Sequence, residues 1–225
     1  MFNEKKVVVI LSGGIDSTTL MWQMVEQGNE VIALSVDYAQ RHSKEIDFAK
    51  KLCSLKSVEH YVIDLTSIKA LLKNSSLTDS VDVPLGHYKL PSMKVNAVPN
   101  RNMVIISLAI SCAISNGAGK VVYGSQSGGH ITYPDCRPDF VTAISKASEL
   151  CWYEPVVVSA PFNYMSKTDI IILGEELNVP WEHTWTCYQG GELHCGQCST
   201  CIGRIEAFTL AGVVDPVGYE ERKLE

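Results

Sequence analysis

Near its amino end the chain reads Lys5-Lys6-Val7-Val8-Val9-Ile10-Leu11-Ser12-Gly13-Gly14-Ile15-Asp16-Ser17-Thr18-Thr19. The first half is a hydrophobic run typical of a buried parallel strand, and the second half opens into a helical pattern. Two adjacent glycines let the backbone turn sharply and bring its N–H groups against an anion. The hydroxyls that follow lie at a helix N-terminus, where the helix dipole favours negative charge. The pattern predicts a cradle for the phosphates of a nucleotide.

The spacing of this loop excludes two common phosphate-binding motifs. No lysine follows the glycines, so it is neither Gly-x-x-x-x-Gly-Lys-Ser/Thr nor the dinucleotide pattern Gly-x-Gly-x-x-Gly. It resembles instead the PP-loop, Ser-Gly-Gly-x-Asp-Ser, of ATP pyrophosphatases, which cleave ATP between its α and β phosphates. The alternative is a simple Gly-Gly turn with a serine cap. The resemblance implies nucleotide contacts from Leu11, Ser12, Gly13, Gly14, Ile15, Asp16, Ser17, Thr18 and Thr19.

Composition restricts the class of protein. With 225 residues, 46% of them hydrophobic, the chain is long enough for one large α/β domain with a packed core. A formal net charge of −6 and the lack of a long basic run argue against direct nucleic-acid binding. We expect no signal sequence and no apolar stretch of the ~18 residues that a membrane span needs. The expected location is cytoplasmic, where the eight cysteines are thiols or metal ligands rather than disulfides.

Strand and helix patterns alternate along the chain, which predicts a parallel sheet with helices on both faces, a Rossmann-like α/β fold. A polar segment from Asn74 to Pro99 shows no period and is expected to be a long functional loop. The predicted strands are Lys5 to Leu11, Glu30 to Asp37, His60 to Asp64, Lys120 to Gly124 and Val156 to Val158. The predicted helices are Ser17 to Gln27, Ser43 to Leu55, Asn102 to Asn116, Pro138 to Leu150 and Thr168 to Leu177, the last with Ser166 as its N-cap.

In such a sheet the ligand lies outside the carboxyl ends of the strands, where the strand order reverses. Polar segments follow three strands: the phosphate loop, the run from Asp37 to His42, and the run from Gly124 to Arg137. We therefore expect a binding crevice there. Taken alone, Arg41-His42 is more typical of a solvated helix N-terminus, but three polar segments at consecutive strand ends favour a functional role.

A second strong signal lies near the carboxyl end. Cys195, Cys198 and Cys201 are separated by two residues each, and Cys187 lies seven residues before them. Four thiolates at this spacing fit a closed, structural tetrahedral zinc site. An iron–sulfur cluster is the alternative, and His194 is a possible substitute ligand. We expect an ATP-binding domain over residues 1–180 and a small zinc-binding segment over 181–225, packed on it.

Five motifs then occur in order and resemble the 7-cyano-7-deazaguanine synthase family, QueC. They are the PP-loop, Asp37-Tyr38-Ala39-Gln40-Arg41-His42, Pro99-Asn100-Arg101-Asn102, Tyr133-Pro134-Asp135-Cys136-Arg137 and the four-cysteine segment. The resemblance implies a homodimeric ATP-dependent ligase that converts 7-carboxy-7-deazaguanine and ammonia to the nitrile through an adenylated intermediate. It implies ATP, Mg²⁺ and Zn²⁺.

The same resemblance suggests individual roles. Asp16, Arg101, Asp135 and Arg137 are the candidate catalytic residues, and Arg41, Gly124 and Lys167 extend the nucleotide site. Arg101 is a candidate clamp for a phosphate or carboxylate, since a guanidinium meets two oxygens at once. Its alternative is a surface arginine at a helix start. Cys136 is a candidate nucleophile or a buried packing thiol.

The chain departs from the family pattern at two places: Gly129 stands where the family carries an aspartate, and Ala39 where it usually carries glycine. The first difference concerns the acceptor half of the reaction and leaves the ATP half untouched. Two further functions therefore remain open: transfer of the adenylated acid to a protein or small-molecule amine, stopping at an amide, and nucleotide sensing without turnover.

Overall fold

The computed structural model describes residues 1–126 and 133–221. The strands are β1 (Asn3–Ile10), β2 (Glu30–Asp37), β3 (Glu59–Asp64), β4 (Ala118–Tyr123) and β5 (Val157–Ser159). The helices are α1 (Ile15–Glu26), α2 (Glu45–Lys56), α3 (Arg101–Ser115), α4 (Pro138–Glu149), α5 (Lys167–Glu176) and α6 (Ser199–Ala211). The α/β fold class is confirmed, and each predicted strand and helix is present within a few residues of its predicted bounds.

In the described part of the chain the five strands form one parallel sheet in the order β3-β2-β1-β4-β5. β1 lies at the centre, with Val8 paired to Ile32 of β2 on one side and to Val121 of β4 on the other. Its apolar run is buried on both faces, as a central parallel strand requires. The sheet order reverses at β1, so the crevice between the ends of β1 and β4 is the expected ligand position.

Helices cover both faces of the sheet. Val7 and Val9 point into a core formed with α1, α2, α5 and α6, which includes Leu20 and Phe208. Val8, between them, points into the opposite core with α3 and α4. The period-2 alternation of β1 therefore supplies apolar side chains to two helical layers.

One feature of α3 corrects the sequence analysis. The helical stretch Pro91–Ser115 is long and apolar enough to cross a membrane by length and composition, although no such stretch was predicted. It combines a 3₁₀ turn (Pro91–Asn96) with α3, which the sequence pattern kept apart. Ile106, Ala109 and Ala113 of α3 pack in the core against the sheet, and a core helix meets the same criteria.

The segment predicted as a long loop contains local structure. A 3₁₀ turn spans Thr66–Leu71, just before the segment, and a second spans Pro91–Asn96 within it. The Ser76 hydroxyl donates to Asn96 Oδ1 at 2.6 Å, and the buried Leu77 and Met93 anchor the segment in the protein. The segment is thus fixed at its base by buried contacts.

The carboxyl-terminal part contains α6, which the sequence analysis did not predict. Arg204 of α6 is 1% exposed; its Nε lies 2.9 Å from Asp215 Oδ2, and it also donates to the Thr184 hydroxyl at 2.8 Å. Trp185 packs in the core on one face of the sheet and Phe208 in the core on the other. The division between residues 180 and 181 stays a prediction.

Candidate active site

A cavity of about 640 Å³ opens at the carboxyl ends of β1 and β4, where the sheet order reverses. Its walls come from the loop after β1, the end of β2, the first turns of α2, α3 and α5, and α6 with the segment before it. The crevice predicted from the sequence is therefore present in the fold.

The glycines of the loop allow close backbone approach. Gly13 has φ +82°, and a Cβ there would clash with the carbonyl oxygen of Glu45 in α2. At the end of β4, a Cβ on Gly124 would lie 3.0 Å from the Ser17 amide nitrogen. Only glycine fits the first position without strain, because both its φ and its space exclude a side chain.

The start of α1 is built to receive an anion. Gly14 is the N-cap and supplies no side-chain cap, so the amides of the first turn lack intrahelical acceptors. The Ser12 amide donates to Ser17 Oγ at 3.1 Å, and the two serine hydroxyls lie 3.0 Å apart. Backbone donors and the positive end of the helix dipole thus face the cavity together, which is the arrangement that binds phosphate.

A lysine from a distant helix joins this loop. Lys167 begins α5, and its Nζ lies 2.6 Å from Asp16 Oδ1. The predicted N-cap, Ser166, caps α5 in a capping box with Asp169 and so fixes the direction of the lysine. Asp16, Lys167 and the open helix terminus therefore lie at one end of the cavity.

Four residues predicted for nucleotide binding do not line the cavity. Thr18 and Thr19 are buried, and their hydroxyls donate to the carbonyls of Gly14 and Ile15 at 2.7 and 2.9 Å. Arg41 is exposed and donates to the Val81 carbonyl at 2.9 Å, which holds the long segment. The fourth is Gly13, whereas Leu11, Ser12, Gly14, Ile15, Asp16, Ser17, Gly124 and Lys167 line the cavity.

Arg101 lies in the wall as a partly buried cation. Burial acts to lower the pKa of its guanidinium, but the hydroxyls of Tyr38 and Tyr188 raise it above its ordinary value. Arg101 Nε donates to Asn102 Oδ1 at 3.2 Å, and no carboxylate of the described residues lies within ion-pair distance of it. A desolvated guanidinium without an anionic partner favours an anionic ligand.

The Tyr-Pro-Asp-Cys-Arg motif places two of its members on the cavity, Tyr133 and Cys136. The Cys136 carbonyl accepts a hydrogen bond from Asn163 Nδ2 at 2.7 Å. Burial is the main cause of a raised pKa of the Cys136 thiol, and the negative charge of Asp135 adds to it. That shift favours a neutral thiol. Asp135 and Arg137 do not line the cavity in the described residues. Gly129 lies outside the described residues.

The sequence analysis missed Glu45 as a site residue. Its side chain is 15% exposed and lines the cavity, with Gln40 Nε2 donating to Oε1 at 3.2 Å. Burial raises the pKa of this carboxyl to about 7. His42 is 4% exposed, so it is not a solvated helix-terminal residue; burial lowers its pKa to about 4, and Nδ1 has no hydrogen-bond partner in the structure. Nothing in the sequence separates Glu45 from an ordinary acidic first-turn residue.

The four predicted metal ligands converge. The sulfur atoms of Cys187, Cys195, Cys198 and Cys201 all lie within 4.8 Å of one another, and the four residues are buried. Backbone amides of Cys198 and Gln197 donate to the Cys195 sulfur at 3.3 and 3.5 Å. Buried thiols with N–H donors aimed at sulfur fit a tetrahedral soft metal ion.

This cysteine cluster also shapes the cavity. Three residues next to the cysteines in sequence line the cavity: Tyr188, which follows Cys187, and Ser199 and Thr200, which lie between Cys198 and Cys201. The Gly86 amide donates to the Gln197 carbonyl at 2.9 Å, which ties the long segment to the cluster. A metal ion bound by the thiols would therefore fix one cavity wall.

Comparison with known proteins agrees with this geometry. The family described as "Queuosine biosynthesis protein QueC" matches residues 6–212. A 7-cyano-7-deazaguanine synthase of Hahella chejuensis is 49% identical over 215 residues, 96% of this chain and 93% of its own. The synthase of Methanoregula boonei is 47% identical over 215 residues, 96% of this chain and 99% of its own.

One solved structure shares the fold at low sequence identity. A 4-thiouridine synthetase, solved in complex with RNA and bound ATP, superposes with a TM-score of 0.53 and 17% identity, covering 77% of this chain and 41% of that one. The two proteins thus share a fold over 77% of this chain, and the matches in sequence extend over nearly the whole chain. The chain belongs to the QueC family.

Proposed function

We propose that this protein converts 7-carboxy-7-deazaguanine, ATP and ammonia to 7-cyano-7-deazaguanine. The observation that carries the proposal is one cavity lined by both a phosphate-binding loop and the Arg101 guanidinium, which has no carboxylate within ion-pair distance among the described residues. Membership of the QueC family and the names of its relatives support the same activity. The two relatives named above are 7-cyano-7-deazaguanine synthases and lend no support to the amide-forming or sensing alternatives.

The chemistry requires activation of the acid. A carboxylate is a poor electrophile because oxide is a poor leaving group, so its oxygen must first be joined to the α-phosphorus of ATP. The pyrophosphate that leaves would be held by the first-turn amides of α1 and by Lys167. Ammonia then displaces AMP to give the amide, and a second adenylation removes the amide oxygen as AMP. The protein contributes chiefly position and charge stabilisation.

Among the predicted catalytic residues, Asp16 and Arg101 have the better support. Asp16 holds Lys167 at the phosphate end, and Arg101 offers a forked donor to the acid. For Asp135 and Arg137 the support is the family motif alone, since neither lines the described cavity. We propose that these two contact the substrate, as the resemblance to the family implies.

Two metal ions belong to this proposal. Zn²⁺ would be held by Cys187, Cys195, Cys198 and Cys201, since a buried four-thiol set leaves no open coordination position. Mg²⁺ would bind with the ATP phosphates and take Asp16 as its protein ligand, because it usually uses one or two carboxylates plus substrate phosphates. It would neutralise charge on the leaving pyrophosphate.

We further propose a cytoplasmic homodimer whose partners are its small-molecule substrates. The support for the dimer is the family resemblance, and light scattering of the zinc-loaded protein tests it. The formal net charge of −6 supports the absence of direct nucleic-acid binding.

The deciding experiment is mass spectrometry of products. The metal-loaded protein is incubated with ATP, Mg²⁺, 7-carboxy-7-deazaguanine and ammonium, with omission of each reactant as a control. We expect the nitrile, AMP and pyrophosphate. Accumulation of the amide alone, or formation of ADP and orthophosphate, would contradict the proposal.

A further inference from the structure

Three of the described residues that line the cavity carry a carboxylate: Asp16, Glu45 and Glu206. Asp16 is paired with Lys167, and Glu206 is 48% exposed at the mouth and lies 3.2 Å from His87 Nε2. Glu45 has no lysine or arginine within ion-pair distance among the described residues. It is therefore the cavity carboxylate with the least compensation of its charge.

The position of Glu45 links the two ends of the cavity. Its backbone carbonyl abuts Gly13 of the phosphate loop, and its side chain lies in the electrostatic field of Arg101. If pyrophosphate leaves at the loop and the acid is held at Arg101, the reacting carbonyl lies between them. Glu45 then faces the place where nitrogen must attack.

The surroundings hold the carboxyl ready to change its protonation. Gln40 donates to Oε1, and His42 Nε2 lies 3.5 Å from Oε2. Asp37 and Tyr38 face the carboxyl from the end of β2, and Arg101 faces it from α3. Burial is the main cause of its raised pKa, and Asp37 adds to the rise. The hydrogen bond from Gln40 and the charge of Arg101 oppose it. Burial keeps His42 neutral, so it adds no positive charge at pH 7. A carboxyl that titrates near neutral pH is suited to proton transfer.

We propose that Glu45 is the proton acceptor for the attacking nitrogen, an inference that rests on the proposed function and deepens it. The lone pair of ammonia forms the C–N bond to the acyl carbon. The C–O bond to AMP breaks and its electron pair leaves with AMP. The proton that the nitrogen sheds passes to the Glu45 carboxylate, which returns it to water.

The test separates adenylation from attack by nitrogen. Acid-dependent exchange of labelled pyrophosphate into ATP reports adenylation, and single-turnover product formation with ammonia reports attack. In Glu45→Gln we expect exchange within about twofold of wild type and a fall of about 10²-fold or more in the ammonia step. Asp47→Asn is the matched control, since Asp47 is in the same helical turn, is 75% exposed and is paired with Lys50, and both rates should be unchanged.

A second nucleophile tests the proton transfer itself. After attack, the nitrogen of hydroxylamine sheds its proton to water more readily than that of ammonia, because hydroxylammonium is a stronger acid than ammonium. Glu45→Gln should therefore form hydroxamate at close to the wild-type rate. With free ammonia held constant, the wild-type rate of the ammonia step should rise through pH 7, and this rise should be absent in Glu45→Gln. Glu45→Asp, which keeps a carboxylate, should retain the rise at a lower rate.

Three outcomes overturn the inference. They are an unchanged ammonia step in Glu45→Gln, an equal loss with hydroxylamine, and a loss of exchange, which would assign Glu45 to substrate binding. Thermal unfolding of each variant shows whether it is folded. If the wild-type protein itself shows no acid-dependent exchange, both the proposed function and the inference fail. If Glu45→Gln loses only the ammonia step, both are supported.

Discussion

Replacing Glu45 by glutamine should make the stability of this protein less dependent on pH. The folded state raises the pKa of the carboxyl from 4.5 to about 7. At about 1.4 kcal/mol per pKa unit, the ionised side chain costs the folded state about 3 kcal/mol. The side chain keeps 15% exposure, so water screens part of this cost and about 2–3 kcal/mol is expected.

The sign follows from the direction of the shift. Below pH 4.5 the carboxyl is protonated in both the folded and the unfolded states, and it contributes nothing to the difference. Between pH 4.5 and 7 the unfolded chain releases the proton while the folded protein holds it, so the free energy of unfolding falls as pH rises. Above pH 7 the full cost is present. Glutamine has no such titration.

Urea unfolding of wild type, Glu45→Gln and Asp47→Asn measures the effect between pH 5.5 and 8.5. Relative to wild type, Glu45→Gln should gain about 2 kcal/mol of unfolding free energy across this range. Loss of metal at the acid end affects all three proteins alike and cancels in the difference. A pH-independent difference, or the same trend in Asp47→Asn, would refute the reasoning.

Four further substitutions test the site and its support. Lys167→Met should lower the rate of pyrophosphate release by about 10²–10³-fold in stopped-flow assays with an unchanged circular dichroism spectrum, because a cation at the leaving group is lost. Cys198→Ser should bind less metal, measured by a chromogenic chelator, and should be less soluble. An unchanged zinc stoichiometry would contradict the four-cysteine site. Arg204→Met should lower the unfolding free energy by about 3–5 kcal/mol, because it leaves Asp215 buried without its partner; a loss below 1 kcal/mol in urea would contradict this. Ala39→Gly should raise the free energy of unfolding, measured in urea, by about 0.5–1 kcal/mol, because Ala39 has φ +61°, a left-handed conformation in which a Cβ is strained and glycine is not.

The central strands of the sheet, β1, β2 and β4, were predictable because their apolar runs are buried on both faces. A strand such as β2 must be a continuous apolar run, and its predicted bounds, Glu30–Asp37, are those observed. α6 was not predicted because it begins inside the cysteine segment, where the spacing of the cysteines indicates metal ligands rather than a helix. Its signals are present: Gly212, with φ +68°, ends the helix.

The phosphate loop and the cysteine cluster were predictable because their function depends on spacing along the chain. The other cavity residues were not, because their roles depend on side-chain direction. Arg41 and His42 are adjacent, yet one is exposed and the other is 4% exposed beside the cavity. Thr18 carries a hydroxyl at the predicted position but turns it to a helix carbonyl. Periodicity gives the face of a helix and not the partner of a hydroxyl.

The charges of the cavity also bear on the order of events in the proposed reaction. The acid enters as an anion, and Arg101 has no carboxylate within ion-pair distance in the part of the chain that the structure describes, so binding would supply negative charge beside the guanidinium. A hydrogen bond to a charged group contributes about 1.5–3 kcal/mol, and one to a neutral group about 0.5–1.5 kcal/mol. Once oxygen has been replaced by nitrogen the ligand is neutral, and the attraction to Arg101 falls by about 1 kcal/mol or more. The amide keeps an oxygen for the guanidinium to hold for the second adenylation, whereas the nitrile has none. The same arginine that selects the acid therefore retains the intermediate better than the product, and release follows from the chemistry at the reacting carbon.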